Sequence, residues 1–178
     1  MSETQSTFFD EGPPPRMFGQ LDANDGDTNG KMRDGFHCHA CGQKVKIYRR
    51  ILNASFALWL IALHRLTRRV ESDDGFYGVV EITEEIRAMG HIDRHHDFAK
   101  LKHWGLIVEE EKIGADGIAR TSGRWRTTPR GVSFASGASV APKYVNIYNA
   151  ESLGLDGDPI TIRDALGNHF SFDELMKE

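Results

Sequence analysis

The sequence predicts an α+β protein, and three observations carry that prediction. A basic segment over 94–104 runs directly into Trp104-Gly105-Leu106-Ile107. An apolar/polar alternation, a Gly/Asp-rich turn and a second alternating stretch come next, the pattern of two strands in a hairpin. Thr128-Pro129-Arg130-Gly131 then has the form of a helix start, with a capping hydroxyl before a proline at the first helical position.

Taken from the N-terminus, residues 1–35 predict a disordered acidic tail. Gly12-Pro13-Pro14-Pro15 cannot lie inside a helix, and Asp, Asn and Gly dominate 21–35 with almost nothing to bury. Asp25-x-Asp27-x-Asn29-Gly30 matches the first half of an EF-hand loop, but its twelfth position is Phe36, where calcium needs a bidentate Glu. A polar linker is the better reading. Residues 36–47 hold the Cys/His cluster Phe36-His37-Cys38-His39-Ala40-Cys41-Gly42-Gln43.

A helix is expected over 48–70, because Leu52, Phe56, Trp59, Leu60, Leu63, Leu66 and Val70 recur at three- and four-residue steps. Arg49, Arg50, Arg65, Arg68 and Arg69 cluster at its ends. Ser72-Asp73-Asp74-Gly75 breaks it, and 76–80 reads as a short strand. Thr83 is placed to cap a helix over 84–89 that Gly90 ends, since glycine takes the left-handed conformation without penalty. Asp93 is expected to cap the basic helix at 94–104. Phe98, Leu101 and Trp104 face inward there, leaving Arg94, His95, Lys100, Lys102 and His103 outside. The hairpin strands are expected at 106–112 and 124–127, followed by a short helix from Pro129 to about Ala135. In the tail, 138–178, Val145 and Ile147 alternate with Tyr144, Asn146 and Tyr148 as a strand does. Ile160, Ile162, Ala165, Leu166, Phe170, Phe172 and Leu175 are expected to dock on the core or on a second subunit.

Helix, strand, turn and strand in this order resemble the recognition helix and β-wing of a winged helix-turn-helix domain, over about residues 51–137. The run from the Cys-x-x-Cys-Gly-Gln segment through Trp-Gly-Leu-Ile and Trp-Arg-Thr-Thr-Pro-Arg-Gly to Pro-Lys-Tyr-Val is also similar to a group of small, uncharacterised bacterial and phage proteins. The resemblance implies a winged helix, placed at 48–137, with a small metal-binding appendage and no known activity. Such a module lays a helix in the DNA major groove. Arg94, His95, Lys100, Lys102 and His103 have the chemistry to reach phosphates and purine edges, and Arg120, Arg124 and Arg126 that of a wing meeting the minor groove or backbone. The alternative for these arginines is cross-strand pairing with Glu109, Glu110 and Glu111.

Cys38 and Cys41, followed by Gly42, have the spacing of a zinc knuckle. Structural zinc needs four ligands. His37 and His39 are the nearest completions, His64, His91, His95 and His96 lie further along, and two chains giving two thiolates each form a third route. Reduced cysteines packed as small hydrophobes and a redox pair are the rival readings.

The net charge of −4 argues against indiscriminate nucleic-acid binding, but its distribution is uneven. Residues 37–70 carry seven Lys/Arg and no Asp/Glu, whereas 1–36 and 134–178 each carry seven acidic and three basic groups. The longest apolar run, 54–63, is too short to span a membrane, the first ten residues lack a secretory pattern, and a lone Cys-x-x-Cys suits a reducing cytoplasm. No phosphate-binding loop, His-Glu-x-x-His or Gly-x-Ser-x-Gly is present, so the chain reads as a non-enzyme. The one candidate catalytic cluster, His91-x-x-x-His95-His96-Asp97, falls where the basic helix needs its exposed face. The expected function is a sequence-specific double-stranded DNA-binding regulator of phage or bacterial type, dimeric through the first helix or the tail. The alternative is a protein-binding adaptor or inhibitor.

Overall fold

The computed structural model describes residues 33–38, 41–69, 74–92 and 96–177. Almost all of the acidic tail therefore lies outside the described residues. The chain divides into two compact units, 1–46 and 47–178. In the first, β1 (Phe36–His37) and β2 (Lys44–Val45) form a small antiparallel hairpin with Phe36 opposite Val45 and His37 opposite Lys44.

The second unit is mixed α and β with antiparallel sheets. Its centre is α1 (Ala54–Arg69), in which every residue from Phe56 to His64, and Leu66, is buried. A helix apolar on all sides must be enclosed on all sides. Around it pack α2 (Val79–Ala88), a 3₁₀ helix (His96–Trp104), β6 (Ala119–Thr127), α3 (Pro129–Ala135) and α4 (Ile162–Leu166). The expected helix start at Tyr48 is corrected. Tyr48–Ile51 is strand β3, and Asn53 begins the helix by accepting a hydrogen bond from Phe56 N through its side-chain oxygen at 3.1 Å. The first helix is buried against its own chain from Phe56 to His64 and at Leu66, with Arg68 and Arg69 exposed at its end.

Two three-stranded sheets flank this helix. One has the order β4-β6-β5, with β4 (Tyr77–Gly78) and β5 (Ile107–Ile113) on either side of β6. The other has the order β3-β7-β8, with β7 (Ala141–Tyr148) between β3 and β8 (Glu151–Ile160). The expected strand at 124–127 is longer, beginning at Ala119, because the hairpin stays paired from Ile107–Thr127 out to Ile113–Ala119 past one irregularity near Glu110. The expected strand at 76–80 shrinks to two residues. Val79 already begins α2, so Thr83 sits inside the helix, with its hydroxyl donating to Val79 O at 2.7 Å instead of capping.

The segment at 96–104 is a 3₁₀ helix, unusually long for that conformation. Its sequence explains the choice. Phe98, Leu101 and Trp104 are spaced by three, and three residues make one 3₁₀ turn, so the three side chains stack in one straight row. All three are buried. Phe98 stacks parallel on Trp59 with centroids 4.4 Å apart and meets Trp125 edge-on at 5.7 Å. Trp104 donates its indole N–H to Pro142 O at 2.8 Å, joining the 3₁₀ helix to β7.

At α3 the expected cap holds: the Thr128 hydroxyl accepts from Gly131 N at 3.0 Å and donates to Gly105 O at 2.6 Å. Gly131 is needed for a close approach, since a Cβ there would stand 1.9 Å from Leu106 O. The tail docks on the chain's own core through Ile162, Leu166 and Leu175. Arg65 adds to this by donating to the carbonyls of Leu175 (2.6 Å) and Lys177 (2.5 Å). The same guanidinium meets buried Glu85 at 2.6 Å, which also receives Arg69 at 2.6 Å.

Candidate nucleic-acid interface

The basic residues that sequence chemistry assigns to DNA lie on the 3₁₀ helix and on the β5–β6 hairpin. Arg94 and His95 lie outside the described residues. Of the rest of that helix, Lys102 is exposed, and Lys100 makes an ion pair with Asp97 one turn earlier. His103 is half-buried, and desolvation, with Lys102 and Lys100 nearby, holds its pKa below the ordinary 6.5. At neutral pH it is therefore an uncharged hydrogen-bonding group rather than a cation.

On the hairpin, acidic partners already hold two of the three arginines. Arg120 grips Asp116 through two bonds of 2.5 and 2.9 Å within the turn. Arg124 reaches across to Asp74, with bonds of 2.6 and 3.0 Å, and donates to Phe76 O at 2.6 Å. Glu110 is 3.5 Å from the same guanidinium, so the pairing expected with the 109–111 acids exists in one instance, secondary to Asp74. Arg126 is exposed and lies over the Phe76 ring at 4.7 Å. These pairs raise the pKa of Arg120 and Arg124 and lower that of Asp116, as opposite charges at bonding distance do.

Asp74 and Phe76 were not legible as partners of this hairpin. Fifty positions separate Asp74 from Arg124, and only the antiparallel pairing of Tyr77 with Trp125 and Gly78 with Arg124 brings them together. Asp116 carried a weak signal in its four-residue spacing from Arg120. The sequence also concealed Arg49 and Arg50, which leave the expected helix for β3. There they line a cavity of about 250 Å³ with Asn53, Ser55, Phe56 and Asp97. Arg49 is itself paired with Asp156 at 3.0 Å and lies over the Tyr144 ring at 3.7 Å.

Among the candidate metal ligands, Cys38 is half-buried, Cys41 and His37 are exposed, and His39 lies outside the described residues. Gly42 N donates to Cys38 O and Cys38 N to Gln43 O, each at 2.8 Å, and Gly42 takes φ +69° to close the turn. Among the described residues no group of three His, Cys, Asp or Glu forms a metal set. Of the distant histidines, His64 is buried in α1 and His91 meets Phe170 edge-on at 4.9 Å, while His95 and the side chain of His96 lie outside the described residues. Among the described residues no helix is long and apolar enough to cross a membrane. No protein-family model, curated protein or solved structure matches this chain.

Proposed function

We propose that residues 52–137 form a winged helix that binds double-stranded DNA, as a regulator of the phage or bacterial kind. The observation that carries this reading is the order of elements. A buried first helix, a short strand, a second helix, the 3₁₀ helix and a two-stranded hairpin follow one another, with the short strand pairing to the far arm of the hairpin in the order β4-β6-β5. The 3₁₀ helix then takes the place of the groove-reading element, and its outer side carries Lys102, Lys100 and His103.

The ion pairs refine which cations act. Lys102 is exposed and supplies a phosphate contact, whereas Arg120 and Arg124 must exchange a protein carboxylate for a phosphate. Binding should therefore show a shallow salt dependence for a domain with this many basic residues. Fluorescence anisotropy with random and cognate-genome duplexes, at two salt concentrations, tests this. Lys102→Ala should weaken binding uniformly across sequences and reduce the log–log salt slope by about 1, while Arg120→Ala leaves it nearly unchanged. Absent binding by the folded chain would remove DNA from the account.

The same ion pairs, together with three exposed isoleucines, favour a second reading as a protein-binding adaptor. Ile92 is 82% exposed in the turn before the 3₁₀ helix, and Ile113 (78%) and Ile118 (57%) flank the hairpin tip. Phosphate contacts make no use of such residues, whereas a protein partner buries them. Ile113→Ser and Ile118→Ser separate the two readings: they abolish capture of a protein partner and leave duplex affinity unchanged.

A further inference from the structure

We propose that the chain assembles with copies of itself head to tail, the β3 edge of one copy pairing with the β8 edge of the next. In the β3-β7-β8 sheet β7 is the middle strand, and among the described residues neither β3 nor β8 pairs with a further strand. Both edges offer backbone groups. Leu52 N donates to Lys143 O at 2.8 Å, and hydrogen-bonded pairs alternate along an antiparallel ladder, so Arg50 and Tyr48 also face β7. The N–H and C=O of Arg49 and Ile51 therefore point away from it. Val145 turns its own backbone groups towards Arg50, so those of Leu155, its neighbour on β8, point outward from the opposite edge. Exposed apolar side chains accompany both edges, Tyr48 and Ile51 on one and Leu153 and Leu155 on the other.

Charge complementarity identifies the occupant as a second copy. β3 contains Arg49 and Arg50 and no acid, whereas β8 contains Glu151, Asp156 and Asp158 and no base. Arg49 and Asp156 already pair within the sheet at 3.0 Å. Arg50 lies 5.8 Å from the Tyr48 ring, and among the described residues it has no carboxylate partner; Glu151 and Asp158 likewise have no cation. Like charges oppose the pairing of β8 with another β8, or of β3 with another β3, while opposite charges favour β3 beside β8. A contact between two unlike patches repeats from copy to copy and builds a ring or an open chain. The sheet grows by three strands with each copy. Because β3 is only four residues long, the seam is short and assembly follows protein concentration. The surface is independent of the DNA reading, and its test uses no DNA.

The test is sedimentation velocity of the full-length chain from about 10 μM to about 1 mM, at low and high salt. The expected result is an average mass that climbs past the dimer with concentration and falls when salt screens the exposed charges. Arg50→Glu alone should leave the chain monomeric, and so should Glu151→Lys combined with Asp158→Lys. An equimolar mixture of these two variants should assemble again, because each reversed edge then meets a complementary one. Fluorescence of Trp104, whose indole bonds to Pro142 O on β7, reports that the sheet stays folded in each variant, and recovery in the mixture excludes misfolding as the cause of the loss. A parent chain that is monomeric throughout overturns the proposal. So does a mass that stops at the dimer, which marks a contact of one patch with itself, an Arg50→Glu variant that assembles like the parent, or a mixture that stays monomeric.

Discussion

The two three-stranded sheets of the second unit are built alike and were unequally legible. In the β4-β6-β5 sheet the main pairing is a hairpin, Ile107 with Thr127 out to Ile113 with Ala119, closed by the Gly/Asp-rich turn between them. In the β3-β7-β8 sheet, β3 pairs with β7 from the far end of the unit, Tyr48 with Ile147 and Ile51 with Tyr144. A hairpin is encoded by its own turn and alternation. A four-residue strand beside a strong helical pattern is decided by a partner that local sequence does not contain. The contrast shows where pairing information resides, and it can be broken at specific residues.

The largest effect should come at the anchor of the first sheet. Gly131→Ala forces a methyl carbon against the Leu106 carbonyl, which directly precedes β5, and should destabilise the protein by about 3 kcal/mol in denaturant unfolding. Next, Trp104→Phe keeps the ring in the aromatic row and removes its bond to Pro142 O, the link from the hairpin side to β7. A loss of about 1.5 kcal/mol is expected, with hydrogen-exchange protection falling more in β7 than in β5. The second sheet can be sharpened instead. Its β7–β8 turn places Asn149 at φ +48° and Ala150 at φ +64°, conformations that favour glycine at the second position. Ala150→Gly should raise stability by about 1 kcal/mol.

The smallest effect is a pH dependence. Burial, and to a lesser degree Arg68, lowers the His64 pKa from 6.5. The unfolded chain binds that proton more readily, so the His64 contribution is complete above pH 6.5 and is lost as pH falls below it, through the lowered folded-state value. His64→Leu should flatten the melting temperature below pH 6.5, leaving a residual slope of the same sign from His103. A variant as acid-sensitive as the parent would exclude His64 as the source.

Elements whose signals are local were legible in the sequence. The cap at Thr128 with Pro129 behind it, the helix stop at Gly90, the inward row of Phe98, Leu101 and Trp104 and the strand character of Val145 and Ile147 all correspond to observed features. Two errors fell where tertiary structure overrode a local pattern, while the hairpin strand β8 was missed although its pairing to β7 is local. Tyr48–Ile51 became strand because β7 offered it a ladder, and Thr83 became helix interior because Val79 started α2 early. For the candidate interface, residue chemistry located the cations and one secondary counter-charge, Glu110, but not the principal partners Asp74 and Asp116. Lys100 and Arg120 had acids within one turn, and only the fold delivers Asp74 to Arg124.

The 3₁₀ row has a genetic corollary. Because Phe98, Leu101 and Trp104 coincide only when the chain turns once every three residues, one inserted or deleted codon between them swings everything beyond it by a third of a turn. Trp104 would leave its bond to Pro142, and a side chain now facing solvent would enter the core. Length variation in this segment should therefore survive selection in steps of three codons.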